Sequence, residues 1–156
     1  MRNDAAAARR LDLERFMPYR LSVLTNRVSS AIARQYSDRF GLTIPQWRTM
    51  AVLGGTANLS ARDVAERTAM DKVQVSRAVE SLMRAGRVRR HADAADGRIT
   101  RLSLTAKGRA IYDEVAPLAL RLEELFLSTL TSRERRQLDA LMIKLARQAH
   151  LLVGET

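Results

Sequence analysis

The stretch Ser60-Ala61-Arg62-Asp63-Val64-Ala65-Glu66-Arg67-Thr68-Ala69-Met70-Asp71-Lys72-Val73-Gln74-Val75-Ser76-Arg77-Ala78-Val79-Glu80-Ser81-Leu82-Met83-Arg84-Ala85-Gly86 reads as two short helices joined by a tight turn. Ser60 is an N-cap residue, and Asp63 three positions on completes a variant of the capping box, with Val64 and Ala65 forming the inner face of a helix that ends near Ala69. Asp71 and Gln74 repeat the device at the start of the next helix, whose core face is Val75, Val79 and Leu82 and whose end is Gly86. At about 100° per residue, with Val75 facing inward, Val73, Ser76, Arg77, Glu80 and Arg84 fall on the outer side and Gln74 at its margin.

Beyond Gly86 the pattern changes. Arg87 to Ala92 is extended and basic, Asp93 to Gly97 is a turn, and Arg98 to Leu104 alternates Ile99, Leu102 and Leu104 with polar residues. These segments predict a β-hairpin. Two short helices followed by a basic hairpin make a winged helix-turn-helix, in which the second helix enters the major groove of DNA and the hairpin flanks it. The fold class expected is therefore mainly α with a small β-hairpin wing.

On either side of this unit lie longer helical patterns. Leu21, Leu24, Val28, Ile32, Tyr36 and Phe40 draw one apolar stripe along a helix from Pro18 to a stop at Gly41, with Leu13, Phe16 and Met17 as a lead-in. Thr43 and Pro45 open a second helix through Trp47 to Gly54 and Gly55. Thr105 caps a fifth, carrying Ile111, Val115, Leu118, Leu122, Leu125 and Phe126, in which Pro117 is expected to kink the helix or divide it. Thr131 with Glu134 opens a sixth, with Leu138, Leu141, Met142, Leu145, Ala149 and Leu152 on a stripe that a small domain does not cover alone. The terminal helices are candidates for a subunit interface.

Composition fits a folded binding protein. The chain has 156 residues, 46% hydrophobic and 28% charged, enough for one domain with a substantial core. Its formal net charge of +10 calls for an anionic partner: nucleic acid, an anionic membrane or an acidic protein. Much of the excess lies in one stretch, where Arg84, Arg87, Arg89, Arg90, Arg98, Arg101, Lys107 and Arg109 face only Asp93 and Asp96. With no cysteine there is no disulfide, thiolate metal site or thiol redox switch. No apolar run reaches the roughly 18 residues of a membrane span, the run Met1 to Arg10 included, so a cytoplasmic protein with no membrane partner is expected. His91 and His150 lie apart without a partner motif, so no catalytic residue, metal or cofactor is expected.

The outer face of the fourth helix suits DNA. Gln74 and Arg77 can reach adenine or guanine edges, Ser76 a base or phosphate, Val73 a thymine methyl, and Arg84 a phosphate. Ser60, Arg62 and Lys72, at the starts of the two helices, complete the set. Arg98 at the hairpin tip suits the minor groove, with Asp96 orienting it. Each of these residues taken singly fits a solvated surface equally well; the hairpin following the helix pair favours DNA. An architectural or RNA-binding role is the rival reading.

Pro45-Gln46-Trp47-Arg48, Val64-Ala65-Glu66-Arg67, Val75 to Leu82 running on to Gly86, and Asp96-Gly97-Arg98 leading to Leu102-Ser103-Leu104-Thr105-Ala106-Lys107-Gly108 together resemble the MarR family of bacterial transcription regulators, over nearly the whole chain. The resemblance implies a single domain over 1–156, with a winged helix-turn-helix over 43–105 and dimerisation helices over 11–40 and 106–153. It also implies a homodimer acting as a repressor on a palindromic operator in double-stranded DNA. A small effector, an aromatic carboxylate for example, would bind between the dimer and DNA-binding parts and release the DNA. Tyr19, Arg20, Trp47 and Arg48 combine aromatic surface with cations and are the candidate ligand residues, with ordinary packing as the competing reading for each. Cysteine-based oxidant sensing, found in that family, departs from this sequence.

Overall fold

Four helices of this chain start on the same reciprocal arrangement, in which a side chain caps the helix and the residue three positions later caps it in return. In a computed structural model describing residues 11–154, Thr43 pairs in this way with Gln46, Ser60 with Asp63, Asp71 with Gln74 and Thr131 with Glu134. Each box satisfies main-chain N–H groups that have no acceptor inside the helix. The run Met1–Arg10, read above for a membrane segment, lies outside the described residues; among those described, no helix is long and apolar enough to cross a membrane.

The elements in order are α1 (Met17–Phe40), α2 (Ile44–Gly55), α3 (Ala61–Thr68), α4 (Lys72–Arg84), β1 (Val88–Ala92), β2 (Thr100–Leu104), α5 (Ala106–Leu127) and α6 (Ser132–Gly154). Gly41 ends α1 in the left-handed conformation at φ 61°, its N–H donating to the Ser37 carbonyl. The turn between α3 and α4 takes the same backbone region at Ala69, φ 51°. The strands are shorter than the sequence pattern suggests, beginning at Val88 rather than Arg87 and at Thr100 rather than Arg98. Arg98 and Ile99 belong to the turn because the Ile99 N–H donates to the Asp96 carbonyl and the Asp93 N–H to the Ile99 carbonyl.

The described chain forms two compact units that divide between Val115 and Ala116. The first has its core where α2, α3, α4 and the hairpin meet. Met50, Leu53, Val64, Val75, Val79, Leu82 and Leu102 are all fully buried there. β1 and β2 pair antiparallel, Val88 opposite Leu104 and Arg90 opposite Leu102. The hairpin gains a third partner in the loop before α3, where the Leu102 N–H donates to the Leu59 carbonyl at 2.7 Å. That bridge fixes the wing to the helices it serves.

The second unit consists of the end of α5 and α6. Arg135 joins them, its Nε donating to the Leu127 carbonyl at 3.2 Å and its guanidinium pairing with Glu124 at 2.9 Å. α5 runs through Pro117 as one helix, so the proline does not divide it. A proline at this position removes one main-chain donor, and Asp113, whose carbonyl loses it, is solvent-exposed. On α6, Leu138, Leu141, Met142, Leu145 and Leu152 are all exposed.

One close approach holds α5 to the hairpin base. A Cβ on Gly108 would lie 2.0 Å from the Arg87 carbonyl oxygen, a main-chain atom that cannot swing aside. Gly55, by contrast, has nothing within 4 Å of such a Cβ. We expect Gly108→Ala to destabilise by about 1–3 kcal/mol, in the range of overpacked sites, and Gly55→Ala to leave stability nearly unchanged. Thermal unfolding followed by circular dichroism checks both; equal midpoints for the two variants would show that the approach of α5 to Arg87 is not tight.

Candidate nucleic-acid interface

α4 divides cleanly by face. Val75, Ala78, Val79 and Leu82 are buried, while Lys72, Val73, Gln74, Ser76, Arg77, Glu80 and Arg84 are exposed. Val73 is 58% exposed, an apolar side chain in water with no core to enter. Gln46 fixes the helix from behind: its carbonyl oxygen caps α2 at Thr43 while its amide donates to Ser81 Oγ on α4 at 2.7 Å. Ser76 is held by Glu80, its hydroxyl donating at 3.3 Å, and Arg62 by Glu66 at 2.9 Å. Ser60 and Asp63 are occupied in capping α3. The carboxyl of Asp63 is lowered below the usual range mainly by the Ser60 N–H and hydroxyl, with Arg101 and Arg67 adding to the effect.

The wing is organised by two aspartates. Asp96 accepts the main-chain N–H of Arg98 at 3.0 Å, so it orders the turn through the backbone rather than by holding the guanidinium, as the sequence pattern had suggested. The carboxylate that grips an arginine is Asp93. Its Oδ2 accepts from Arg101 Nε at 2.6 Å, and its Oδ1 accepts the N–H groups of Ala95 and Asp96. Arg101 also reaches Asp63 at 3.4 Å, tying the wing to the first turn of α3. Arg98 stays exposed at the tip.

The basic stretch from Arg84 to Arg109 is less available than its composition implies. Arg87 donates to the Phe40 carbonyl, Lys107 to the Ala85 carbonyl and Arg109 to the Gly54 carbonyl, each satisfying the end of a helix. Arg89 binds Ser103, and Arg101 the two aspartates. Arg84, Arg90 and Arg98 are the three cations of the stretch without a side-chain hydrogen bond or ion pair among the described residues.

The four candidate ligand residues do not form one site. Tyr19 and Arg20 line a groove of about 460 Å³ at the start of α1 with Glu14, Met17, Leu21, Leu24 and Arg27. Trp47 is in the core, tilted against Tyr36 at 5.5 Å and stacked on Tyr112 at 6.0 Å. Arg48 donates to Ser29 on α1, and nine or ten residues of helix separate Ser29 from Arg20 and Tyr19, roughly 14–15 Å along the axis. Burial pushes the Tyr36 hydroxyl up from its ordinary range, and the Arg48 cation opposes that shift. A tryptophan between two tyrosines is explained by packing, which is why aromatic type alone could not locate a pocket.

Two short helices joined by a tight turn, with a hairpin fixed beside the second, define a winged helix-turn-helix protein. A model of the MarR family matches residues 40–99. The HTH-type transcriptional repressor Rv2887 of Mycobacterium tuberculosis is 27% identical over 131 residues, 83% of this chain and 91% of that one. The HTH-type transcriptional regulator BilQ of Clostridium symbiosum is 31% identical over 101 residues, 64% of this chain and 70% of that one. The PcaV transcriptional regulator of Streptomyces coelicolor, solved in complex with its natural ligand, superposes with a TM-score of 0.69 at 25% identity, covering 89% of this chain and 97% of that one. The chain belongs to the MarR family of transcriptional regulators.

The Asp93 clamp makes the wing acid-sensitive. The Arg101 guanidinium, then the N–H groups of Ala95 and Asp96, lower the Asp93 carboxyl from 3.8 to about 2. A carboxyl depressed in the folded state stabilises it fully above the unfolded value, and that contribution is lost as pH falls through the folded value. We therefore expect the Asp93 carboxyl carbon to titrate by NMR with a midpoint of about 2, and the wing resonances to shift with it. A midpoint at the unperturbed value would mean that Arg101 does not hold Asp93 in solution.

Proposed function

We propose that the protein is a sequence-selective DNA-binding repressor that acts as a homodimer on an inverted-repeat operator and leaves it when a small aromatic anion binds. The observation that carries this reading is the outward face of α4. Lys72, Val73, Gln74, Ser76, Arg77 and Arg84 point away from a fully formed core, with Arg98 exposed on the wing beside them. Arg77 and Gln74 have the donor geometry for base edges, Val73 an apolar surface for a thymine methyl, and Arg62, Lys72 and Arg84 suit phosphates, while Ser60, whose donors both go to Asp63, serves by holding the start of α3. An oriented reading helix of this composition favours duplex DNA over RNA, whose deep and narrow major groove does not admit side chains.

The homodimer is supported by the apolar surface left uncovered. Leu141, Leu145 and Leu152 on α6 and Leu21 and Leu24 on α1 are exposed, a pattern that marks association surfaces. A twofold dimer reads two copies of one half-site in opposite directions, hence an inverted repeat. Repression is the sign named for the Mycobacterium tuberculosis relative. Ligand control draws on PcaV, which binds a natural ligand. The Tyr19 and Arg20 groove, whose lining sets Arg20 and Arg27 against the one carboxylate of Glu14, pairs aromatic surface with a net positive charge and suits an aromatic carboxylate.

Binding of variants to a panel of single-base operator substitutions tests the reading. Arg77→Ala should relax specificity at one base-pair position by about 1–3 kcal/mol, with the other positions ranked as before. Arg98→Ala should weaken binding and lower the slope of log affinity against log salt by about one. Unchanged profiles for both variants, or equal affinity of the native protein for every duplex, would favour the architectural reading instead.

A further inference from the structure

We infer that Arg90 is a DNA-backbone contact, and that the cavity it overhangs seats the sugar–phosphate chain of one operator strand between α4 and the wing. This deepens the DNA-binding reading above and rests on it. Arg90 stands in an unusual place for a cation. Its cross-strand neighbour is the buried Leu102 and it alternates onto the same side of the hairpin as the buried Val88, yet its own side chain is exposed at the edge of that side. A carboxylate is the ordinary partner of such a surface cation. Among the described residues Arg90 has none.

What it has instead is open space bordered by more cations. A cavity of about 360 Å³ has a floor of Val75, Val79 and Leu102 and a rim of Arg62, Lys72 and Arg90. Arg90 also borders a second groove of about 320 Å³, with Arg84 and Glu80, so its guanidinium stands between two openings along the outer side of α4. Lys72 and Arg84 are, like Arg90, without an ion pair among the described residues. With Arg62 paired to Glu66, Lys72 and Arg90 give the rim its uncompensated positive charge over an apolar floor. A deoxyribose–phosphate chain matches both features, with sugar C–H groups for the floor and a phosphate charge for the rim. Continuity with the outer face of α4 makes a strand of the duplex read by that face the occupant.

Such a contact positions the protein without reading sequence, and this separates it from Arg77. Arg90→Ala should weaken binding to the best operator and to an unrelated duplex by the same factor, on the order of 3–10-fold, lower the salt slope by about one, and leave the ranking of operator variants unchanged. Arg90→Lys, which keeps the charge, should retain most of the slope. Replacing single operator phosphates by neutral methylphosphonates adds a test that misfolding cannot imitate: one phosphate should matter to the native protein and cease to matter in Arg90→Ala. If Arg90→Ala matches the native protein in affinity and slope, or if no phosphate loses its effect, the assignment is wrong. Saturation of the cavity by free organic phosphate, with duplex binding unaltered, would equally overturn it. Failure of the native protein to bind any duplex would instead overturn the function on which the inference rests.

Discussion

The burial of one face of α4 is the constraint on which the rest depends. In a helix of 13 residues, placing Val75, Ala78, Val79 and Leu82 against α2, α3 and the hairpin decides where every other side chain points. Full burial of an aliphatic side chain is worth about 1.5–3 kcal/mol, so Val75, Val79 and Leu82 together outweigh any rotation that would expose them. Lys72, Val73, Gln74, Ser76, Arg77 and Arg84 are outward as a consequence, and the candidate function of the helix follows from its core. The Gln46 bond to Ser81 and the Leu102 bond to Leu59 then lock the orientation of the helix and of the wing relative to the same core.

Much of this was legible in the sequence because it is local. Capping pairs three residues apart, the left-handed Gly41, and the period of the apolar positions are properties of short segments, and the helices follow them closely. The reading face of α4 follows from the same periodicity. What the sequence could not reveal depends on residues far apart in the chain. That Arg87 reaches Phe40, Arg109 reaches Gly54 and Arg101 bridges Asp93 to Asp63 is decided by tertiary geometry, and an arginine that caps a helix looks the same in sequence as one that awaits a phosphate. Asp96 illustrates the same point within a turn: its carboxylate had a cation two residues away and bonded the backbone instead. Aromatic type left Trp47 open between packing and a ligand, and its stack with Tyr36 and Tyr112 supplies the packing.

The charge of the protein takes on a sharper meaning in this light. A formal net charge of +10 favours an anionic partner at long range, but much of the basic stretch is used inside the fold. Arg87, Lys107 and Arg109 satisfy carbonyls at the ends of three helices, where a cation also meets the negative end of the helix dipole. Within that stretch the cations left without a side-chain partner among the described residues are Arg84, Arg90 and Arg98, on α4 and the hairpin. On the proposed function, specific recognition falls to a handful of side chains whose positions are set by packing, while the exposed apolar residues of the terminal helices are left for association.

Selection of duplexes from a random pool by the purified protein tests the central claim most directly. The account predicts enrichment of one sequence, arranged as two inverted half-sites whose centres lie about one helical turn, roughly 10 base pairs, or a multiple of it apart. A pool that binds but emerges without enrichment would contradict it.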